Sequence, residues 1–469
     1  MYVGIDDTDS LTGQCTTYLL TEIIRILIKE FDIIGYPRLV RLNPNIPWKT
    51  RGNAALSVRF GYGYGKKIYI GKIGDTDVYS YIYEQKKSPS KNEMEKIFSE
   101  CTELVEKQSI LTDEKTNPGL VILEKKPPEK LYWTAVRDIV YIDDVKKILN
   151  ESAGYYKGFK NERGLIGATA SIAWRPKKRT YELITYRRGR LKKRIIDEES
   201  VIKMDRTFKE TFNNYDYLQK RVCIAPHTPC PILFGIRATS PNRLIDAMNS
   251  IKSEKPVRWF IYETNQGTDD HIVSSQRLTV NGQQDHVQRA TTHHPLPTTH
   301  DLRPWTSVKF TGYIFDYPRV IKGGHVIITV TGPFHGSRAT IDCIAYEPSK
   351  TLPKIVSQLI PNDKITVYGS VRDQPRTINI EKLQILTLAE HRVKVENPFC
   401  RKCDKHTKSL GKNKGFRCIK CGTKFSIDEA KYITKKRKIA PGWYEPTTSS
   451  LRHIAMPLRI YEIRDTKYE

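Results

Sequence analysis

The sequence predicts a multidomain α+β chain: a mixed α and β module, a ferredoxin-like sandwich, an OB-fold β-barrel and a C-terminal zinc ribbon. Three observations carry this expectation. The 469 residues are too many for one hydrophobic core at roughly 100–200 residues per domain. Residues 303–390 read strand, strand, strand, helix, strand, strand, the order of an OB-fold. Cys400, Cys403, Cys418 and Cys421 form C-x2-C-x14-C-x2-C, a spacing that closes a tetrahedron of thiolates around zinc and leaves no open position for water.

In chain order, "YVGI" reads as a short buried strand and "TTYLLTEIIRILIKEF" as a helix from Thr16, with Leu19, Leu20, Ile23, Ile24, Ile26 and Leu27 at near-helical spacing. "GYGYGKKIYI" predicts a hairpin. It lacks the spacing and context of a phosphate loop. "EQKKSPSKNE" reads as exposed surface, and the first module spans 1–130. Over 131–265, "DDVKKILNES", "GLIGATASIAW", "TYELITYRR", "CPILFGIRA" and "RWFIYET" alternate helices with short strands, which suits the ferredoxin-like sandwich. Residues 266–302 are a polar connector, 303–390 the OB-fold, and 391–469 the ribbon with a basic tail.

Lys plus Arg exceed Asp plus Glu by 78 to 52, a net charge of +26. Such a balance is expected of a protein that meets nucleic acid. Residues 391–469 hold 20 basic and 8 acidic side chains, a net +12. About half of the excess therefore lies beside the ribbon, where Lys435 and Arg437 are candidates for RNA phosphates. Trp305 and Tyr313 of the OB-fold are candidates for stacking on bases. A solvated charge run and core aromatics are the alternatives. No secretory h-region or run of about 18 apolar residues is present, so a cytoplasmic protein with no membrane association is expected; no protein partner is predicted.

Against that positive background, "VGIDDTDSLTGQCTT" places Asp6, Asp7 and Asp9 between a strand and a helix. Close carboxylates raise one another's pKa unless cations neutralise them, and Mg is the usual solution beside a phosphate substrate. Gly13 permits close backbone approach, and Thr16 lies where free helix N–H groups face anions. The spacing is equally open to an acidic turn that caps the helix. "RLNPNIPWKTRGN" supplies Arg41, Lys49 and Arg51, and "DEKTNPG" supplies Lys115 and Asn117, as phosphate-facing loops or as solvated turns. Arg163, Gly164, Gly167 and Arg237 suit close ligand approach or tight packing. Asp269, Asp270 and His271 are weaker additions to a site, and His293, His294 and His300 lie in Pro- and Thr-rich sequence that argues against a metal site.

Together, "VGIDDTDS", "CTTYL", "PRLVRLNPNIPWKTRGN", "DEKTNPG", "RGLIGA", "TPCPILFGIR", the two cysteine knuckles and "PGWYE" followed by "RHIAMPL" resemble the archaeal isoleucine-tRNA 2-agmatinylcytidine synthetases, almost end to end. The chain departs from the family pattern in extra length near 61–98 and in the connector at 270–300. The resemblance implies that the first module is an atypical kinase domain handling ATP and the wobble cytidine. It implies that ATP phosphorylates the cytidine 2-carbonyl oxygen, that agmatine displaces that phosphate with release of AMP and pyrophosphate-derived phosphate, and that a CAU-anticodon isoleucine tRNA then decodes AUA instead of AUG. It places autophosphorylation on Thr16 and assigns metal and ATP handling to Asp6, Asp7 and Asp9. Arg51 and Lys115, with Asn117 and Gly13, are the expected phosphate contacts, and Asp269 and Asp270 the candidates for cationic agmatine. The expected cofactors are ATP, Mg and structural Zn. A non-catalytic RNA-binding protein built on the OB-fold and ribbon is the competing reading. Lysine as the donor amine is a third, against which stands the lack of an "SGGxDS" loop.

Overall fold

The computed structural model describes residues 1–50, 52–87, 89–189, 193–274, 302–334, 337–411 and 414–465. Arg51 and the histidines at 293, 294 and 300 lie outside the described residues.

The chain opens with β1 (Tyr2–Asp6) and α1 (Thr16–Leu27), then β2 (Asp32–Ile34), β3 (Arg38–Arg41), β4 (Ala54–Gly61), β5 (Gly63–Ile73), β6 (Thr76–Glu84), α2 (Lys91–Gln108) and β7 (Gly119–Leu123). β1 lies between β4 and β7, antiparallel to both, and is covered on both faces. Val3 and Ile5 are fully buried with Leu19, Leu20, Ile23 and Ile24 of α1 on one side. On the other side lie α3 (Glu129–Arg137), α4 (Ile142–Asn150) and α5 (Gly164–Ala173). Residues 131–158, grouped from the sequence with the second module, contribute β8 (Gly154–Gly158), which extends this sheet beyond β7. The expected helix from Thr16 ends at Leu27, short of Glu30, and a capping box of Ser90 and Glu93 starts α2 just after the exposed "EQKK" stretch.

α5 carries "GLIGATASIA", whose small residues let it lie directly against the strands. A Cβ on Gly164 would sit 2.3 Å from the Gly119 backbone nitrogen, and one on Gly167 would sit 1.8 Å from a carboxylate oxygen of Asp6. Gly164 therefore serves packing, the second of the two roles its sequence allowed, and Gly167 makes room for an acidic side chain at the end of β1.

The chain continues with β9 (Thr180–Tyr186), α6 (Glu198–Thr207), β10 (Thr211–Phe212), β11 (Tyr215–Asp216), β12 (Arg221–Val222), β13 (Ile232–Ala238), α7 (Leu244–Asn249) and β14 (Arg258–Thr264). The strands run β10-β13-β9-β14, with α6 and α7 packed on one face around Leu183, Phe234 and Trp259. β14 also pairs with β5 and, in parallel, with β3. The path β14-β5-β6-β2-β4-β3 returns to β14 and closes a ring between the first two modules. The hairpin expected around "GYGYGKKIYI" is different in detail: the glycine-rich run spans the end of β4 and the start of β5, and the turn falls later, between Ile73 and Thr76. Gly74, with φ of 56°, adopts the left-handed conformation that the tight reversal needs.

After β15 (Ile272–Ser274) come β16 (Ser307–Ile314), β17 (Arg319–Ile321), β18 (His325–Phe334), β19 (Ser337–Ala345), α8 (Thr351–Val356), β20 (Lys364–Val371) and β21 (Ile378–Thr387). The pairings β16-β18-β19-β21-β20-β16 close a five-stranded barrel around Val308, Phe310, Ile328, Val367 and Leu383. This is the expected OB-fold. The ribbon follows, and its C-terminal segment returns: Gly442–Tyr444 pairs with β21, and residues 453–456 reach back to the first modules. No helix among the described residues is long and apolar enough to cross a membrane.

Candidate active site

β1 delivers three aspartates at its C-terminal end. Asp7 has a φ of 54°, a left-handed conformation that costs a non-glycine residue of order 1–3 kcal/mol unless its surroundings hold it there. Its surroundings do. One carboxylate oxygen accepts from the Arg163 guanidinium at 2.9 Å and the other from the Thr50 hydroxyl at 3.0 Å. Burial nevertheless pushes the Asp7 carboxyl up to about 6, opposed by Arg163 and Thr50. Burial, and then the neighbouring Asp7 charge, raise Asp6 well above the usual carboxylate range. Asp9 faces the start of α1. One of its oxygens accepts the Thr16 backbone N–H at 2.6 Å and the Thr16 hydroxyl at 3.0 Å, and Thr8 donates its own hydroxyl to Thr16 at 3.0 Å. Asp9 therefore caps the first N–H of α1, one of the two readings its sequence left open, and also accepts a hydroxyl.

The "DEKTNPG" loop is built around its backbone. The Lys115 carbonyl accepts from Thr50, Arg163 and Asn117, while Asp113 accepts from Ser10 at 2.7 Å and ties this loop to the acidic one. The Lys115 side chain is exposed and lines neither of the two clefts that meet at this site, whereas Asn117 is buried and spends its amide on carbonyls of its own loop. Asn117 thus shapes the loop instead of meeting phosphate. Gly13 is buried within the acidic loop.

Two clefts meet at this point. The first is lined by Asp6, Asp7, Asp9 and Asp138 against Lys49 and Arg163, with Trp48 at its rim. The second is larger and is lined by Arg41, Arg221 and Arg237 against Asp9 and Glu182, with His453 from the returning C-terminal segment. Asp9, Thr16 and Thr50 line both. In the second cleft Arg237 pairs with Glu182 at 3.3 Å, and Gln266 accepts from Arg237 at 3.1 Å and from Arg41 at 3.3 Å. Burial lowers the Arg41 guanidinium to about 10. Arg41 in turn, together with burial, drives His453 well below its usual value, so that imidazole is neutral at pH 7. Excess carboxylate in one cleft suits cations, and excess guanidinium in the other suits phosphates.

Several expected site residues lie elsewhere. Asp269 is bound by Lys382 at 2.8 Å and by the Met456 N–H at 2.7 Å, and Asp270 accepts from the Tyr132 hydroxyl at 2.6 Å. Neither lines the two clefts; both carboxylates are committed to joining the second module to the barrel, the C-terminal segment and α3. Arg437 is likewise turned inward. It holds the fully buried Asp363 and the Ala389 carbonyl, because a buried carboxylate needs a paired cation. It pins the ribbon's tail to the barrel and is not free for RNA. Lys435 is exposed. Trp305 is half-buried, and its carbonyl accepts from Asn43 and Asn45. Tyr313 is 46% exposed beside Phe315 and Tyr317 on the barrel. Sequence reasoning passes over Glu182, which the strand "TYELITY" hides, as well as Asp138, Thr50 and His453.

The four ribbon cysteines bring one sulfur each within 4.8 Å of one another. Four convergent thiolates suit a closed tetrahedral zinc site, and the ribbon is a structural zinc module.

Fold and site together define a nucleic-acid-handling protein with an acidic centre in its first module, followed by an OB-fold and a zinc ribbon. Residues 2–159 match the TiaS TCKD domain, 162–271 the TiaS FLD domain and 397–439 the TiaS C-terminal zinc ribbon domain. The isoleucine-tRNA 2-agmatinylcytidine synthetase TiaS of Methanocaldococcus jannaschii is 37% identical over 477 residues, covering 99% of each chain, and that of Thermoplasma volcanium is 36% identical over 471 residues, covering 100% of this chain and 99% of the relative. Two solved structures superpose on 97% of the chain and 96% of their own. One is a complex of TiaS with an isoleucine tRNA and ATP, 33% identical with a TM-score of 0.78; the other is a complex of TiaS with that tRNA, AMPCPP and agmatine, 31% identical with a TM-score of 0.75. The chain belongs to the TiaS family.

Proposed function

We propose that the chain ligates agmatine to C2 of the wobble cytidine of a CAU-anticodon isoleucine tRNA in the cytoplasm. The reaction depends on ATP, passes through a cytidine phosphorylated on its 2-carbonyl oxygen, and changes decoding from AUG to AUA. The observation that carries this reading is the wall shared by the two clefts. An arginine-lined cleft for a polyphosphate and an acidic cleft for cations meet at one carboxylate, Asp9, and two hydroxyls, Thr16 and Thr50.

The 2-carbonyl oxygen of cytosine is a poor leaving group. Phosphorylation turns it into a phosphate ester; the primary amine of agmatine then attacks C2, and phosphate departs with that oxygen. Arg41 and Arg237 are placed to spread the charge of the transferring group, the role that positive side chains play in phosphoryl transfer. In this reading Thr16 accepts a phosphoryl group itself, a role supported by its hydroxyl being held by Asp9. Asp6 and Asp7 suit Mg: burial raises both carboxyls, with the Asp7 charge adding to it at Asp6, and a bound cation would favour their ionised forms. Mg bound there would neutralise the phosphates and bring them to the acidic loop. The carboxylate surface of the first cleft suits the cationic amine, although Asp138 itself is paired with Arg303 and accepts the Ile139 N–H. The barrel's Tyr313 and the exposed Lys435 of the ribbon's tail support RNA held alongside.

The test is the mass of the wobble nucleoside after incubation of tRNA with protein, ATP, Mg and an equimolar mixture of agmatine and lysine. The reading expects the agmatine adduct alone. A lysine adduct would move the donor assignment, and unmodified cytidine would favour a protein that only binds RNA.

A further inference from the structure

The hairpin of β5 and β6 carries a ladder of tyrosines that the site does not use. Tyr64 stacks on Tyr83 with ring centroids 5.6 Å apart, and Tyr69 meets Tyr79 at 5.3 Å. The Lys67 ammonium lies 5.9 Å from the Tyr79 ring and 5.7 Å from that of Tyr81. The glycines of "GYGYG" explain how these rings lie. A Cβ on Gly63 would fall 2.4 Å from the Tyr81 ring, and one on Gly65 would fall 3.2 Å from that of Tyr83. Missing side chains on β5 let the rings of Tyr81 and Tyr83 lie across it, and Tyr79 and Tyr83 are exposed. Tyr64 is 51% and Tyr83 55% exposed. Lys66, Lys67, Lys86 and Lys87 form no ion pair with any carboxylate among the described residues, while Asp77 is met by Lys72 and Glu84 by Arg59.

We infer that this hairpin is a second RNA-binding surface, which stacks unpaired bases of the bound tRNA outside its anticodon and holds their phosphates with Lys66, Lys67, Lys86 and Lys87. Exposed aromatic rings interleaved with unpaired cations are the chemistry that binds unpaired nucleotides without reading their sequence. An apolar protein partner would leave those cations buried and uncompensated. The surface is separate from the reacting centre. None of its tyrosines or lysines lines either cleft.

The inference rests on tRNA being the substrate, but its test reads binding and not turnover. Two full-length variants, Lys66→Ala/Lys67→Ala and Tyr83→Ala, are titrated with the whole tRNA and with an isolated anticodon stem–loop across a range of salt. For the lysine variant we expect whole-tRNA affinity to fall roughly tenfold, with the salt slope shallower by about 1.4–1.8, the change expected when two phosphates are no longer neutralised. Tyr83→Ala should weaken whole-tRNA binding by roughly fivefold or more with an unchanged slope. Affinity for the stem–loop and for ATP should be unchanged in both. Unaltered whole-tRNA affinity overturns the inference, as does an equal loss for the stem–loop. Loss of self-association by light scattering, with tRNA affinity intact, would overturn it in favour of an interface between two copies of the chain.

Discussion

Asp9 holds Thr16 at both of its donors: a single carboxylate oxygen accepts the Thr16 N–H at 2.6 Å and the Thr16 hydroxyl at 3.0 Å. The cap that starts α1 is thus also the group that aims a hydroxyl common to both clefts. Asp9→Ala should cost about 1 kcal/mol of stability as a lost cap, and it should lower phosphoryl transfer by about 100-fold or more as a lost charge at the transferring group. Thermal melting and ATP turnover on the same sample check this. A lower Tm with intact turnover would leave Asp9 a cap and nothing more.

Asp7→Asn keeps one acceptor oxygen for Arg163, turns the other position into an amide donor that the Thr50 hydroxyl can accept, and removes the negative charge. Phosphoryl transfer should be abolished with the tRNA Kd changed by no more than about twofold, because the barrel and ribbon are untouched. Filter binding beside a single-turnover assay separates the two effects; full activity would remove Asp7 from the centre.

The acidic loop also sets a pH dependence. Asp7 is raised to about 6 by burial, against roughly 3.9 in an unfolded chain, so between these values the folded protein binds more protons than the unfolded one. The stabilisation this gives is complete below the unfolded pKa and is lost as pH rises through about 6. Mg binding, which requires the ionised carboxylate, should strengthen over that same window. Melting curves with and without Mg should therefore diverge between about pH 5 and pH 7, the metal raising Tm more at the upper end. A Mg effect equal at both ends would contradict the assignment.

Cys418→Ser removes one of four convergent thiolates. Zinc should be released, and tRNA binding should weaken by about tenfold or more while the ATP Kd stays within about twofold, since the ribbon lies apart from both clefts. Metal content and two titrations measure this. Equal loss of both ligands would indicate unfolding that spreads beyond the ribbon.

The parts legible in the sequence are those encoded locally. The strand, acidic loop and helix of residues 2–27, the OB strand order and the cysteine spacing each lie within one stretch of chain. What escapes is assembled across long separations. The ring closes through β3 and β14, which pair Arg38 with Glu263. The arginine-lined cleft joins Arg41, Glu182, Arg237 and His453 from four separate segments. Asp269 and Arg437 look like functional charges because composition cannot reveal that Lys382 and Asp363 neutralise them. The "GYGYG" run predicts a turn because its glycines favour one; Gly63 and Gly65 instead receive tyrosine rings from the next strand, and Gly61 makes room for Glu84.

The central claim is that the acidic loop drives an ATP-dependent ligation and not merely RNA binding. AMP formation by the purified full-length protein, measured with every combination of the isoleucine tRNA, agmatine and ATP, tests it most directly. The account predicts AMP in amounts matching the agmatine attached to tRNA, only when all three are present, and none from Asp7→Asn. AMP production that ignores tRNA and agmatine, or its absence with all three, would contradict it.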